Sequence, residues 1–311
     1  MDGMPTADSP LGTPYHRLAH LRPEWERPGR AVLTLLIAAV AYSILASLLI
    51  VASVLALSAT GADARMLGAA DGPLAVHPLA LAMLLAFGAI GWPAAWLGVR
   101  LGGWRPAAWL WSIEARPRTA LLRDPWLWLL PGGAALASAV IETTARGSWG
   151  LHGRSPGEAI LAVIVVLLLG PLSAIGTEML LRGLVLQVVG TWVRPAAAGV
   201  AVATIAALIG HTSSVTAAGN ALLLGVLAGV LTWLSGGIEA AIAIHASSVI
   251  PVTLVAILGG PSPADSHGAV AALLVGAPVV SVLVRRRAAS RGRAVPLARA
   301  SDAPTPPPIA V

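Results

Sequence analysis

From Ala31 to Ser58 the chain carries no charged residue, a run longer than the roughly 20 residues a helix needs to cross the hydrocarbon of a bilayer. In that medium no water reaches the backbone, so only a helix or a closed barrel satisfies the peptide groups. The run also exceeds the apolar core of a cleaved signal peptide, about 7–15 residues, and reads as a retained first span. Further apolar segments follow near 79–99, 126–145, 158–193, 196–210, 221–234, 238–259 and 269–284. The sequence therefore predicts an all-α polytopic membrane protein built as an eight-helix transmembrane bundle.

Composition agrees. Of the 311 residues 57% are hydrophobic and 11% charged, with a mean hydropathy of +0.81, whereas a soluble domain carries about a quarter charged residues. Residues 1–29 read as a disordered cytoplasmic arm, 30–287 as the bundle, and 288–311 as a disordered basic, Pro-rich tail. The absence of Cys excludes disulfides and thiolate metal sites. The net charge of +6 comes from arginine without lysine, and the arginines stand at span ends, where membrane topology and not nucleic acid accounts for them. The arm, the 100–125 connection (Arg100, Arg105, Arg116, Arg118, Arg123) and the tail (Arg285, Arg286, Arg287, Arg291, Arg293) are basic. The alternate loops 59–78, 211–220 and 260–268 hold a single Arg, Arg65, while loop 146–157, with Arg146 and Arg154, is a mild exception. The expected arrangement is a multi-pass protein of the cell membrane with both termini cytoplasmic. Trp104, Trp109 and Trp111 interleave with the arginines of the second connection, which suits a segment lying in the cytoplasmic interface or, more simply, an ordinary aromatic belt.

The polar outliers inside the apolar segments carry the functional signal, because a charge in hydrocarbon survives mainly where it pairs or does chemistry. Thr177-Glu178-Met179-Leu180-Leu181-Arg182-Gly183 places an acid and a base four residues apart on one helix face. His211 follows 33 residues later and His245 a further 34, each in its own apolar segment. Gly170-Pro171 offers a kink or a break, and if Pro171 divides the segment, 172–193 is the embedded part. Counted from Arg194, Glu178 and His211 then share a depth in an antiparallel pair, and His245 is placed less well by such counting. Imidazole titrates near neutrality, so two histidines beside a carboxylate suit proton transfer or metal binding. A structural ion pair and isolated helix-packing histidines are the alternative. Glu142 and Arg146 repeat the acid–base spacing but end a span and read as interfacial. Glu239 reads as an ordinary residue near a turn.

The pattern resembles the CPBP intramembrane proteases, which include the type II CAAX prenyl endopeptidases. Their signature is a Glu-Glu-x-x-x-Arg, a Phe-x-x-x-His and a His-x-x-x-Asn motif on three spans of an eight-helix bundle. The corresponding segments are Thr177-Glu178 through Arg182, Ala207 through His211, and His245 through Val249, within about 125–255. The resemblance implies peptide-bond hydrolysis by an activated water in a membrane-embedded cavity, with Glu178, His211, His245, Arg182 and Thr177 as site residues. The implied partners are the lipid bilayer and a membrane-associated peptide or protein substrate. Family members are often labelled zinc-dependent, yet two His and one Glu form no complete zinc set, so the cofactor is left unknown. Three positions depart from the motifs. Thr177 stands for the first Glu, which with the first His activates water in the family, and a threonine accepts no proton near neutral pH. Val249 replaces the Asn and Ala207 the Phe. Two readings stay open: an endopeptidase, or an inactive relative that binds a membrane partner through the same cavity. A transporter would need repeats with matched broken helices, and the two halves show none.

Overall fold

Apolar runs opened by proline or serine and closed by glycine dictate where the helices start and stop. The structure, a computed structural model, describes residues 13–60, 77–151, 153–208 and 214–292. Helix α1 spans Pro28–Thr60, α2 Pro78–Ala89, α3 Gly91–Gly102, the single turn α4 Thr119–Leu122, α5 Trp126–Arg146 and α6 Pro156–Glu178. A π-helical stretch, Met179–Val185, joins α6 to α7, Leu186–Trp192. Then come α8 (Ala196–Leu208), α9 (Val215–Ser235), α10 (Glu239–Ile257) and α11 (His267–Gly292). Proline opens α1, α2 and α6, where its missing N–H loses no helical partner. Ser155 and Glu158 form a capping box at the start of α6. Gly103, Gly147 and Gly236 take the left-handed conformation that ends α3, α5 and α9.

Among the described residues, each apolar segment expected from the sequence is helical over most of its length. Six stretches are long and apolar enough to cross a membrane: Pro28–Ala59, Pro78–Gly102, Trp126–Arg146, Pro156–Trp192, Val215–Ser235 and Glu239–Ile257. The remaining two, Ala196–Leu208 and Val270–Leu283, are shorter. The chain is an all-α polytopic membrane protein. Pro171 lies inside α6 and does not divide it.

α10 is the axis of the bundle. Helices α5, α6, α9 and α11 all pack on it, and 72% of its apolar stretch is buried against 6% for α1. Ala240, Ala241, Ala243, Ala246, Ser247 and Ser248 are buried along it. Small side chains let helix backbones approach where lipid, as apolar as the helices, supplies no hydrophobic drive.

One expectation needs correction at one end of the bundle. Residues 13–29 are not a disordered arm. A 3₁₀ helix at Tyr15–Leu21 buries Tyr15, Leu18 and Ala19, and the Tyr15 hydroxyl donates to the Leu110 carbonyl at 2.5 Å. The 100–125 connection packs into the same end of the bundle. Trp104 is fully buried and its indole N–H donates to the Trp25 carbonyl at 2.8 Å, the partner a buried indole requires. Backbone bonds of 2.9 Å from Ile113 N–H to Gly236 and from Ile238 N–H to Trp111 tie this connection to the turn before α10. Residues 1–12 and the tail beyond Gly292 lie outside the described residues.

Candidate active site

Glu178 closes α6, and the π-helical stretch that follows carries Arg182. Backbone bonds here reach back five residues, as from Leu186 N–H to the Leu181 carbonyl. Such widened turns are rare and cluster at functional sites. The helix is held on its other flank by close approach. A Cβ on Gly176 would overlap the Gly88 carbonyl of α2, and one on Gly91 would lie 2.5 Å from the Gly176 carbonyl. α6 is thus pressed against the junction of α2 and α3, and Glu178 is aimed from a fixed backbone.

Three of the five residues singled out in the sequence meet at one point. His245 Nδ1 of α10 lies 2.8 Å from Glu178 Oε1. Arg182 Nη1 stands 3.2 Å from Glu178 Oε1 and 3.1 Å from Oε2, and its Nη2 donates to the Gly225 carbonyl of α9 at 2.9 Å. The site therefore joins α6, α9 and α10. Glu178 is 0% exposed, Arg182 2% and His245 15%, counted on side chains, so the imidazole is the member that reaches open space. Among the described residues Glu178 Oε2 accepts no well-directed hydrogen bond and Arg182 Nε donates none.

An ionised carboxylate only accepts hydrogen bonds, so the His245 Nδ1 that faces Glu178 carries a proton. This placement follows from the network and leaves Nε2 unengaged by any described residue. Ser248, adjacent to the position of the family's Asn, donates back to the His245 carbonyl at 2.8 Å and is buried. Thr177 is half-buried on the α2 side of the helix, its hydroxyl oxygen 3.0 Å from where a Cβ on Gly88 would stand. His211 lies outside the described residues.

Glu178 and His245 supply two donors where zinc takes three or four, and no group of three or more His, Asp or Glu side chains suited to a metal occurs among the described residues. The Arg182 guanidinium beside Glu178 also opposes a dication.

Glu142 and Arg146 pair at 2.6 Å near the start of α11, where Glu142 also accepts from Ser266 and the His267 N–H. They take no part in the trio. Glu239, read from sequence as ordinary, is 0% exposed and forms a second buried ion pair. Arg118 donates to it from its backbone N–H at 2.8 Å, from Nε at 3.2 Å and from Nη2 at 2.6 Å. Only the Gly236-Gly237 turn beside Glu239 hinted at close packing there, since Arg118 comes from a loop 121 residues away.

Residues 158–250 match the family model described as type II CAAX prenyl endopeptidase, Rce1-like. No curated protein and no solved structure matches the chain. The matched stretch begins in α6, ends in α10 and contains the whole Glu178–Arg182–His245 contact, so that sequence match and geometry coincide. Over this segment, about a third of the chain, the protein is similar to the Rce1-like type II CAAX prenyl endopeptidases.

Proposed function

We propose that the chain is an intramembrane endopeptidase that hydrolyses a peptide bond of a membrane-associated peptide or protein. The observation that carries this reading is the 2.8 Å contact between Glu178 and His245, which joins two residues of the family's motifs across α6 and α10. Held by Arg182, Glu178 stays ionised and turns the imidazole so that Nε2 faces outward. A neutral histidine so placed takes a proton from water as the oxygen attacks the peptide carbonyl carbon. The same proton passes to the leaving amine nitrogen as the C–N bond breaks, and Glu178 offsets the transient imidazolium charge. Thr177 contributes no base, and His211 enters by resemblance.

A second reading, a relative that binds a membrane partner without cutting it, is favoured by one fact. Arg182 and His245 both engage Glu178, so no free carboxylate base remains. Purified protein in lipid, incubated with a peptide library, separates the two. Cleavage lost in His245→Ala and Glu178→Gln supports the peptidase. Peptide retained but uncut by the native chain supports the binder.

We further place both termini in the cytoplasm of a cell membrane, on the arginine distribution. Reporter fusions at Asp71, Ser214 and Ser262 are expected to report the outside, and those at Ala115 and Ala300 the inside. A fusion at Ala300 reporting outside overturns this orientation.

A further inference from the structure

Away from the trio, a cavity of about 450 Å³ opens where α1 begins and α3 ends. Three arginines, Arg30, Arg100 and Arg105, and three tryptophans, Trp25, Trp96 and Trp104, contribute to its lining, and no acidic residue does. The antiparallel packing of α1 and α3 brings the cations together: a Cβ on Gly98 would come within 2.7 Å of the Ala38 Cβ, so the two helix ends stay in register. Arg30 Nη1 donates to the Gly103 carbonyl at 3.1 Å. Arg100 lies 5.1 Å from the Trp96 ring centre and Arg105 4.6 Å from that of Trp104.

Arg105 is the telling member. It is 5% exposed, yet no carboxylate pairs with it among the described residues. Its contacts to the Trp109 and Gly183 carbonyls are long, 3.5 Å each, and its Nε has no acceptor. A buried guanidinium without a counter-ion is costly. Burial lowers its pKa to about 10, so it remains charged at neutral pH. The acids of the neighbouring turn are engaged elsewhere: Glu26 with His20 at 2.9 Å and Glu24 with Arg22 at 3.7 Å.

We infer that this cavity is a binding site for the phosphate of an anionic lipid, with Arg30, Arg100 and Arg105 around the headgroup and Trp96 beside the glycerol. Planar guanidinium forks suit phosphate oxygens. Arginine beside tryptophan at a helix end belongs to the depth of headgroups, and the volume falls in the range of small-molecule sites. Trp96 is 40% exposed, open to the side from which a lipid arrives. A free phosphate shares the chemistry but gains nothing from the tryptophans.

Native mass spectrometry and thermal shift of the full chain in neutral detergent test the site. The probes are dioctanoyl phosphatidylglycerol, dioctanoyl phosphatidylcholine and inorganic phosphate. The glycerol lipid is expected to bind one molecule per chain and to raise the unfolding midpoint, with phosphatidylcholine markedly weaker. Arg30→Gln/Arg100→Gln, at two exposed positions, is expected to weaken it by roughly tenfold or more, since each change removes a charge-assisted bond. Equal binding of the two lipids, or unchanged affinity in the double variant, overturns the proposal. Inorganic phosphate binding as tightly as the lipid would assign the site to a free anion and overturns it as well.

Discussion

Arg182→Met is the most searching perturbation of the candidate site. The methionine fills much of the arginine's volume, so the cavity left behind is small, and the change isolates the charge. Glu178 then stays buried with no cation beside it, and the Gly225 carbonyl loses its 2.9 Å donor. Breaking one side of a buried pair costs about 3–5 kcal/mol. At about 2–4 °C per kcal/mol for a chain of this size class, the unfolding midpoint is expected to fall by roughly 6–20 °C. Glu178→Gln added on top removes the orphaned charge. The new amide oxygen still accepts the Nδ1–H of His245, whose present partner is Glu178 Oε1 at 2.8 Å. The double variant should therefore recover most of the loss, giving a coupling of about 2 kcal/mol or more. Thermal unfolding of the purified variants in one detergent reads this out. A single variant as stable as the native chain, or a double no better than the single, would refute the buried-pair argument.

Further outcomes are expected at three places. His245→Ala should reduce hydrolysis by about 10²–10⁴-fold, the usual contribution of a placed acid–base group, while Thr177→Ala leaves it unchanged; kinetics on one peptide in lipid decide, and a strong Thr177 effect would return that residue to the site. Gly176→Val drives a side chain into the Gly88 carbonyl, and its monodisperse yield in size-exclusion chromatography should collapse, whereas Gly133→Val, with nothing near it, should not. His16 sits buried against the Arg194 carbonyl at 3.0 Å, and burial lowers its pKa below the ordinary 6.5. The unfolded chain then binds the proton more readily, so stability should be full above about pH 6.5 and decline below it. His16→Gln should flatten that acid limb of the midpoint-against-pH curve, and an unaltered slope would assign the loss to other groups.

The membrane helices were legible because apolar runs longer than a bilayer crossing leave the backbone one solution. The trio was legible in part, since Glu178 and Arg182 are neighbours on one face and need no tertiary information. His245 was the member least constrained by counting, yet α10 sets it directly on Glu178. Its depth follows from where the Gly236-Gly237 turn sits, and that turn is held by Trp111 and Ile113, which no helical period reveals. The same reason hid Arg118–Glu239 and the burial of Tyr15 and Trp104. Each is a contact between a loop and a distant element, set by shape and hydrogen bonding. A motif can show which residues matter before anything shows which of their neighbours will lie beside them.

The central position of α10 has a consequence for biogenesis. This helix brings a carboxylate, Glu239, and an imidazole, His245, into the interior of the bundle, and ionisable groups are the side chains a translocon passes least readily into lipid. Their partners, Arg118 and Glu178, are both synthesised earlier, as are α5, α6 and α9, which pack on α10. Leaving the translocon and docking into the waiting groove can then be a single event, in which α10 meets protein before it meets lipid. Arg118, the counter-charge of Glu239, is made before the carboxylate it pairs with.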